Sequence, residues 1–310
     1  MAGLIRTVPP NSFYVALPQL ISRVGHNDED TVRIVKAILK RVLVKFPRQA
    51  MWPLAWLLHS ADSTRSQCGE EIFNAAQSCL KKQSDKKVHA LLIASKSLFK
   101  YLIDLAKYVP KNPNKHFNVR PWSGDVALQE FVPPVQAALS LSRYSLGSSS
   151  NDSFPNFVPR MRSFSSRVLV MTSKARPKKI KAFAIPAGKK YKKEAQESLS
   201  YLAQPGDAGE MHFLVKQEAK GDLRKDARVQ DLNNVINRLL VNSNNSTKNL
   251  RQRRRLHLRT FSVVCLSEET GILEWVPNTD SFRNLVTRAY NPQAAPHSVR
   301  RRGKRLANFR

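Results

Sequence analysis

The feature that most constrains this chain is a change of hydrophobic period part-way along it. From Phe13 to about Pro110, apolar residues recur at three- and four-residue spacing. Leu17, Leu20, Ile21 and Val24 do so, and then Val32, Val35, Ile38, Leu39 and Val42. Such spacing puts them on one face of a helix. From Val168 the period shortens: Arg167 to Met171, Ile180 to Ile185, His212 to Lys216 and Leu258 to Leu266 read as strands. A chain patterned this way is expected to stack antiparallel helices first and then build an antiparallel sheet, an α+β arrangement.

Within the helical half, Asp30 and Thr31 stand where an N-cap would start the second helix, and Pro47 ends it. A third helix is expected from Gln49 to His59, a fourth from about Gln67 to Leu80, and a fifth from Val88 past Leu105. The proline-rich stretch that follows, with its run Ser148-Ser149-Ser150-Asn151-Asp152-Ser153, reads as a linker carrying at most a short helix near Val135 to Tyr144. One helix is expected in the strand-rich half, between Leu223 and Leu240, with Val229, Leu232, Asn233, Ile236, Leu239 and Leu240 on one stripe. The expected organisation is a helical region over 1–110, a linker over 111–166, a sheet-plus-helix unit over 167–291 and a basic tail over 292–310.

Composition narrows the function classes. The N-terminus reaches Pro9-Pro10 without an apolar signal region, and no stretch holds the roughly 18 uncharged apolar residues of a membrane span. Three scattered cysteines, Cys68, Cys79 and Cys265, fit neither a disulfide framework nor a zinc site, and are compatible with a reducing compartment. A net charge of +29 predicts attraction to polyanions. The basic residues cluster at Arg251 to Arg259 and Arg300 to Arg305, which are either solvated surface or contacts for nucleic acid or acidic partners.

The sequence holds no Gly-x-Gly, no Gly-Lys-Ser/Thr, no His-x-x-x-His and no Gly-x-Ser-x-Gly, so generic nucleotide, zinc and hydrolase signatures are absent. Three longer blocks occur in fixed order instead. The first is Val170-Met171-Thr172-Ser173-Lys174-Ala175-Arg176-Pro177-Lys178-Lys179-Ile180. The second is Phe213-Leu214-Val215-Lys216 followed by Asp222-Leu223-Arg224-Lys225-Asp226-Ala227-Arg228-Val229. The third is Leu256 to Val264, leading into Gly271-Ile272-Leu273-Glu274-Trp275-Val276-Pro277-Asn278-Thr279. Together they resemble the small lobe of the phosphatidylinositol 3-kinase-related protein kinases. Upstream, Ala16 to Val24 and Phe46 to Trp52 resemble the end of that family's FAT helical region. Lys-Asp-Ala-Arg at 225–228 and Glu-Trp-Val-Pro-Asn-Thr at 274–279 point to the ATR branch, the DNA-damage and replication-stress checkpoint kinases.

The resemblance implies an ATP site. Ser173 and Lys174 would lie at a strand-turn-strand tip over the phosphates, doing the work of a glycine loop. Lys216, ending an apolar strand, would contact the α/β-phosphates with Asp226 as its carboxylate partner. Glu274, Trp275 and Val276 would form the hinge, with backbone groups reading adenine and Trp275 stacking on it. Without the family, these residues read as a hairpin tip, a lysine snorkelling to solvent and a core tryptophan.

Three departures stand out. Five residues separate Lys216 from Asp222, ending in Gly221, where the family usually has three with an acidic residue last; Glu218 could stand in for that residue. Phe261 replaces the family's tyrosine, and Lys189 to Glu210 is a polar insertion. Phosphoryl transfer also needs an aspartate to orient the hydroxyl, and an Asn and Asp to hold magnesium. The family carries them as Asp-Arg-His-x-x-Asn and Asp-Phe-x in its large lobe, and neither occurs here, so no catalytic or metal-ligating residue is assigned. The expectation is a nuclear serine/threonine protein kinase segment that is inactive alone. By family its substrates would be Ser/Thr-Gln sites and its partner a DNA-targeting subunit. The alternative is a non-catalytic basic adaptor that binds nucleic acid or acidic partners.

Overall fold

Aspartates start the long helices. Asp28 accepts a 2.8 Å hydrogen bond from the Thr31 N–H, Asp62 accepts from Arg65 and Asp85 from Val88, each satisfying an orphan donor of a first turn. In this computed structural model, which describes residues 5, 7–83, 85–110, 116–122, 130–141, 154, 160–171, 173, 175–185, 209–218, 222–246 and 256–290, six helices lie among the described residues from 10 to 107. They are α1 (Pro10–Val15), α2 (Leu17–Ser22), α3 (Glu29–Lys45), α4 (Pro47–Leu58), α5 (Ser63–Lys82) and α6 (Lys86–Lys107). The cap of α3 is therefore Asp28, with Asp30 and Thr31 inside its first turn. Pro47 opens α4 rather than merely closing α3, because a first-turn proline forfeits no hydrogen bond.

Helix α4 is apolar nearly all round and sits at the centre of the helical layer, with Ala50, Met51, Trp52, Leu54 and Leu57 fully buried. Trp52 meets Phe99 of α6 with ring centroids 5.5 Å apart. Gly69 lets α5 cross α4 closely, since a Cβ there would stand 2.9 Å from the Leu57 backbone.

Seven strands follow: β1 (His116–Asn118), β2 (Arg160–Phe164), β3 (Arg167–Val170), β4 (Lys178–Ile185), β5 (Glu210–Gln217), β6 (Val263–Cys265) and β7 (Thr270–Glu274). They form one antiparallel sheet in the order β1-β3-β4-β5-β7-β6, with β2 also on β4. Along β5, Met211, Phe213 and Val215 are buried and alternate with His212, Leu214 and Lys216, so only one face of the strand enters the core. Ile180, Ala182, Phe213, Val215 and Ile272 join the same apolar cluster as the helices. Lys178 is also buried, and its ammonium donates to the Ala106 carbonyl at the end of α6. Burial lowers its pKa.

The stretch read as a linker contributes more than one short helix. It supplies β1 and β2, and its α7 (Gln136–Leu139) lies in a segment fastened to the helical layer. There the Trp52 Nε1–H donates to the Val132 carbonyl at 3.1 Å, the Tyr14 hydroxyl donates to the Leu139 carbonyl at 2.7 Å, and Arg48 pairs with Glu130 at 2.7 Å. Two strands of three and five residues, isolated among prolines, carry too little alternation to be read from sequence.

Helix α8 (Leu223–Ser246) is rotated from the expected packing. Val229, Leu232 and Leu239 of the predicted stripe are exposed and Asn233, Ile236 and Leu240 are half-buried, whereas Leu223, Gln230 and Asn237 are buried. The buried amides explain this. Asn237 exchanges two 2.8 Å hydrogen bonds with the backbone of Leu258, and Gln230 accepts from the Phe261 N–H. The expected strand from Leu258 to Leu266 therefore shortens to β6, because its first half spends its backbone groups on α8 instead of a neighbouring strand.

Val276 begins a second unit, whose described residues, 276–290, contain α9 (Phe282–Tyr290), none of whose residues is buried. Ser281 caps it by accepting from the Asn284 N–H. Among the described residues no helix is long and apolar enough to cross a membrane.

Candidate nucleotide site

The solvent-side face of β5 and its neighbours carries the polar chemistry. The register pairs Lys216 with Gly271 on β7, while Lys178 pairs with Val215, so Lys216 lies level with the exit of the β3–β4 turn. Ser173 sits exposed in that turn, its carbonyl accepting the Arg176 N–H at 2.9 Å; Lys174 lies outside the described residues. The turn closes on a non-glycine left-handed residue, Arg176 at φ 43°.

Two carboxylates meet Lys216. Its ammonium is 3.3 Å from Asp226 on the first turn of α8 and 3.4 Å from Glu218 just beyond β5. The lysine side chain is 18% exposed against 51% for Asp226, so the cation is held close to the sheet while its partner reaches in from the rim. The longer connection after Lys216 therefore does not part the pair, and Glu218 does reach the lysine. Gly221 lies outside the described residues. Gly271 is required opposite Lys216, since a Cβ would meet the Val264 carbonyl at 2.7 Å and Leu223 of α8 at 3.0 Å.

Glu274 does not face this cluster with its side chain. Its carboxylate is buried and accepts from the Gln136 N–H at 2.7 Å and the Ser262 N–H at 2.9 Å, tying β7 to the 130–141 segment. Burial raises its pKa, with the two backbone donors opposing. The Trp275 N–H donates to the His212 carbonyl, and the Lys179 ammonium stands 3.8 Å above the Trp275 ring. Burial, seconded by the nearby Lys181, lowers the Lys179 pKa. Val276 opens the second unit and is half-buried.

Sequence reasoning missed Lys179, Lys181, Glu210 and His212, which line the same face. Glu210 binds Lys181 at 2.9 Å and His212 at 3.2 Å. The Lys181 hydrogen bond holds the Glu210 carboxyl below its ordinary pKa, and burial lowers that of His212. Strand alternation put Lys179 and Lys181 on one face, but only the register shows what lies beside them.

Residues 1–99 match the family described as "Serine/threonine-protein kinase ATR-like, HEAT repeats", and residues 211–308 match "Phosphatidylinositol 3- and 4-kinase". Along most of its length this chain is similar to the ATR-like kinases. Its relatives include the serine/threonine-protein kinase ATR of Arabidopsis thaliana, 31% identical over 94% of this chain and 10% of that protein. Protein kinase rad3 of Schizosaccharomyces pombe is 29% identical over 94% of this chain and 11% of the relative. This ATR-like chain thus spans about a tenth of the length of these curated relatives. The solved FAT and kinase domain of CtTel1 covers 99% of it at a TM-score of 0.58 and 20% identity; the open conformation of CtTel1 covers the same share at 0.60 and 19%. At that identity the likeness concerns the fold: a helical region followed by an antiparallel sheet.

ATP suits part of this site. An ammonium has three donors, and Asp226 and Glu218 each make one contact to it, so among the described residues a donor of Lys216 is left for a phosphate oxygen. Trp275 offers a π-face that already attracts a cation, and a base stacking on the face Lys179 covers must displace it. Among the described residues no group of three or more His, Cys, Asp or Glu could hold a metal ion. The basic runs 251–255 and 300–305 lie outside the described residues.

Proposed function

We propose that this chain is the nucleotide-gripping small lobe of an ATR-like serine/threonine protein kinase, together with the helices that brace it. The observation carrying the proposal is Lys216 on a half-buried strand, held by Glu218 and Asp226 on the same sheet face as Lys179, whose ammonium stands over the Trp275 ring. A cation fixed by carboxylates is oriented before ligand arrives, so a phosphate gains a placed partner at little further ordering cost. The turn bearing Ser173 would cover the phosphates, and the backbone of Glu274 and Trp275 would meet adenine. In the full kinase magnesium would neutralise phosphate charge, held by the family's Asp-Arg-His-x-x-Asn and Asp-Phe-x motifs, which do not occur in this sequence.

By family, the complete protein would phosphorylate Ser/Thr-Gln sites in the nucleus alongside a DNA-targeting subunit. The 310-residue chain would bind ATP weakly and transfer no phosphate. Photolabelling with 8-azido-ATP, followed by peptide mapping, tests this. Label competed by ATP is expected within 171–180, 212–218 or 270–276, with no phosphorylation of a Ser-Gln peptide. Label spread over the basic runs, or ATP-dependent peptide phosphorylation by the purified chain, would contradict it.

A further inference from the structure

One corner of the helical region touches α8, which carries Asp226, and the β6–β7 turn, which lies beside Lys216. Arg224 stands two residues before Asp226 on the first turn of α8, and its guanidinium lies 4.8 Å from the centroid of Trp56, a buried residue of α4. Arg65 of α5 approaches the same indole at 5.8 Å. Asp222 fixes Arg224 there, accepting from its Nε at 2.8 and 3.1 Å and from its backbone N–H at 2.9 Å. That hydrogen bond lowers the Asp222 pKa and raises that of Arg224, so the guanidinium is charged when it meets the ring.

Four residues beyond Trp56, the same corner takes hold of the β6–β7 turn. Glu268 accepts from the Ser60 hydroxyl at 2.6 Å and from the Ala61 N–H at 3.1 Å with each oxygen. The next residue, Glu269, accepts the Glu218 N–H at 2.7 Å and the Gln217 side-chain amide at 2.9 Å. Lys216 itself pairs with Gly271 just after the turn. The lysine, its carboxylate on Glu218 and its carboxylate on Asp226 are thus all referenced to residues 56–61.

An ion pair whose carboxylate is half-exposed does little to fix its own geometry, because solvent competes for both partners. Its spacing must then come from the backbones that bear it. We propose that Arg224 on Trp56, and Glu268 on Ser60 and Ala61, are positioning contacts through which the α4–α5 corner sets the Lys216–Asp226 geometry. This deepens the nucleotide-site reading and rests on it for its consequence, though not for the contact itself. A displacement of the corner would swing the start of α8 and the β6–β7 turn, and loosen the grip on Lys216 without touching any residue of the site.

The test is acylation of lysines with acetic anhydride, read by mass spectrometry, together with amide hydrogen exchange, on the full chain and on Arg224→Gln, Arg224→Lys and Glu268→Gln. Lys178, buried on the opposite side of the sheet, reports global opening. Losing a cation–π contact corresponds to about 3–30-fold in a local opening equilibrium. In Arg224→Gln, exchange at 223–230 should accelerate by about that factor, and Lys216 acylation should rise while Lys178 stays protected. Arg224→Lys keeps the charge without the planar stack and should restore part of the protection. Unchanged Lys216 labelling in both Arg224→Gln and Glu268→Gln, or labelling that rises in step with Lys178, would overturn the proposal. ATP protection of Lys216 in the unmutated chain is a separate readout. Its absence would remove the nucleotide reading and leave the positioning result standing.

Discussion

The Lys179 ammonium stands 3.8 Å above the ring of Trp275, on the sheet face that also carries Lys216. A cation over an indole contributes about 0.5–2 kcal/mol, depending on how dry the site is. A base stacking on that ring face must offset this. Lys179→Met should therefore change the tryptophan emission of the chain and strengthen adenosine binding by up to about 30-fold. The spectral difference should vanish in a Trp275→Phe background, which separates this indole from Trp52, Trp56 and Trp122.

Glu274 makes a prediction about pH. Its pKa is raised by burial, so the folded state binds its proton more tightly than the unfolded state does. The stability it confers is fully present below the unfolded value of about 4.3–4.5 and is lost as pH rises through the higher folded value. One oxygen, Oε2, accepts both backbone donors, so a glutamine can keep them through its carbonyl. Glu274→Gln should match the original chain near pH 4 and gain on it as pH increases above the carboxylate range, as measured by urea midpoints across that series.

Asn237 tests why the 256–262 segment leaves the sheet. It exchanges two hydrogen bonds with Leu258, and its removal leaves a backbone donor and acceptor without partners. Asn237→Leu should cost about 1–3 kcal/mol in denaturant unfolding and accelerate exchange of the Leu258 amide. Val229→Ser on the exposed side of the same helix should stay within about 0.5 kcal/mol.

Removing either carboxylate from Lys216 should matter little to stability. Asp226 is 51% exposed and Glu218 36%, and ion pairs of that kind contribute about 0–1 kcal/mol. Asp226→Asn and Glu218→Gln should each melt close to the original chain. The double substitution should loosen Lys216, read as faster acylation, because each carboxylate covers for the other.

Much of this was legible in the residues. Helical spacing located α3 to α6 within a few positions, because each buries a broad apolar face, and alternation located β3, β4 and β5. The fixed order of three blocks singled out Lys216 and Asp226 ten residues apart, which the fold brings to 3.3 Å. What escaped was set by tertiary partners. The apolar stripe on α8 suggested a core face, but Gln230 and Asn237, bonding a neighbouring backbone, rotate the helix so that only part of that stripe is covered. Glu274 carries a hinge position by resemblance, yet its side chain anchors Gln136, a contact across 138 residues that no local pattern encodes. Trp56 read as core and is buried; that it also receives Arg224 depends on the packing of helix against sheet.

The most direct measurement is the ATP affinity of the chain and of Lys216→Met, by equilibrium dialysis with labelled nucleotide at fixed ionic strength. Losing a charge-assisted contact to phosphate corresponds to about 1.5–3 kcal/mol, or about 10–150-fold in Kd. A loss in that range is expected for Lys216→Met, with the melting temperature little changed. Equal ATP binding by the two chains would show that the nucleotide is held elsewhere and contradict the assignment of Lys216.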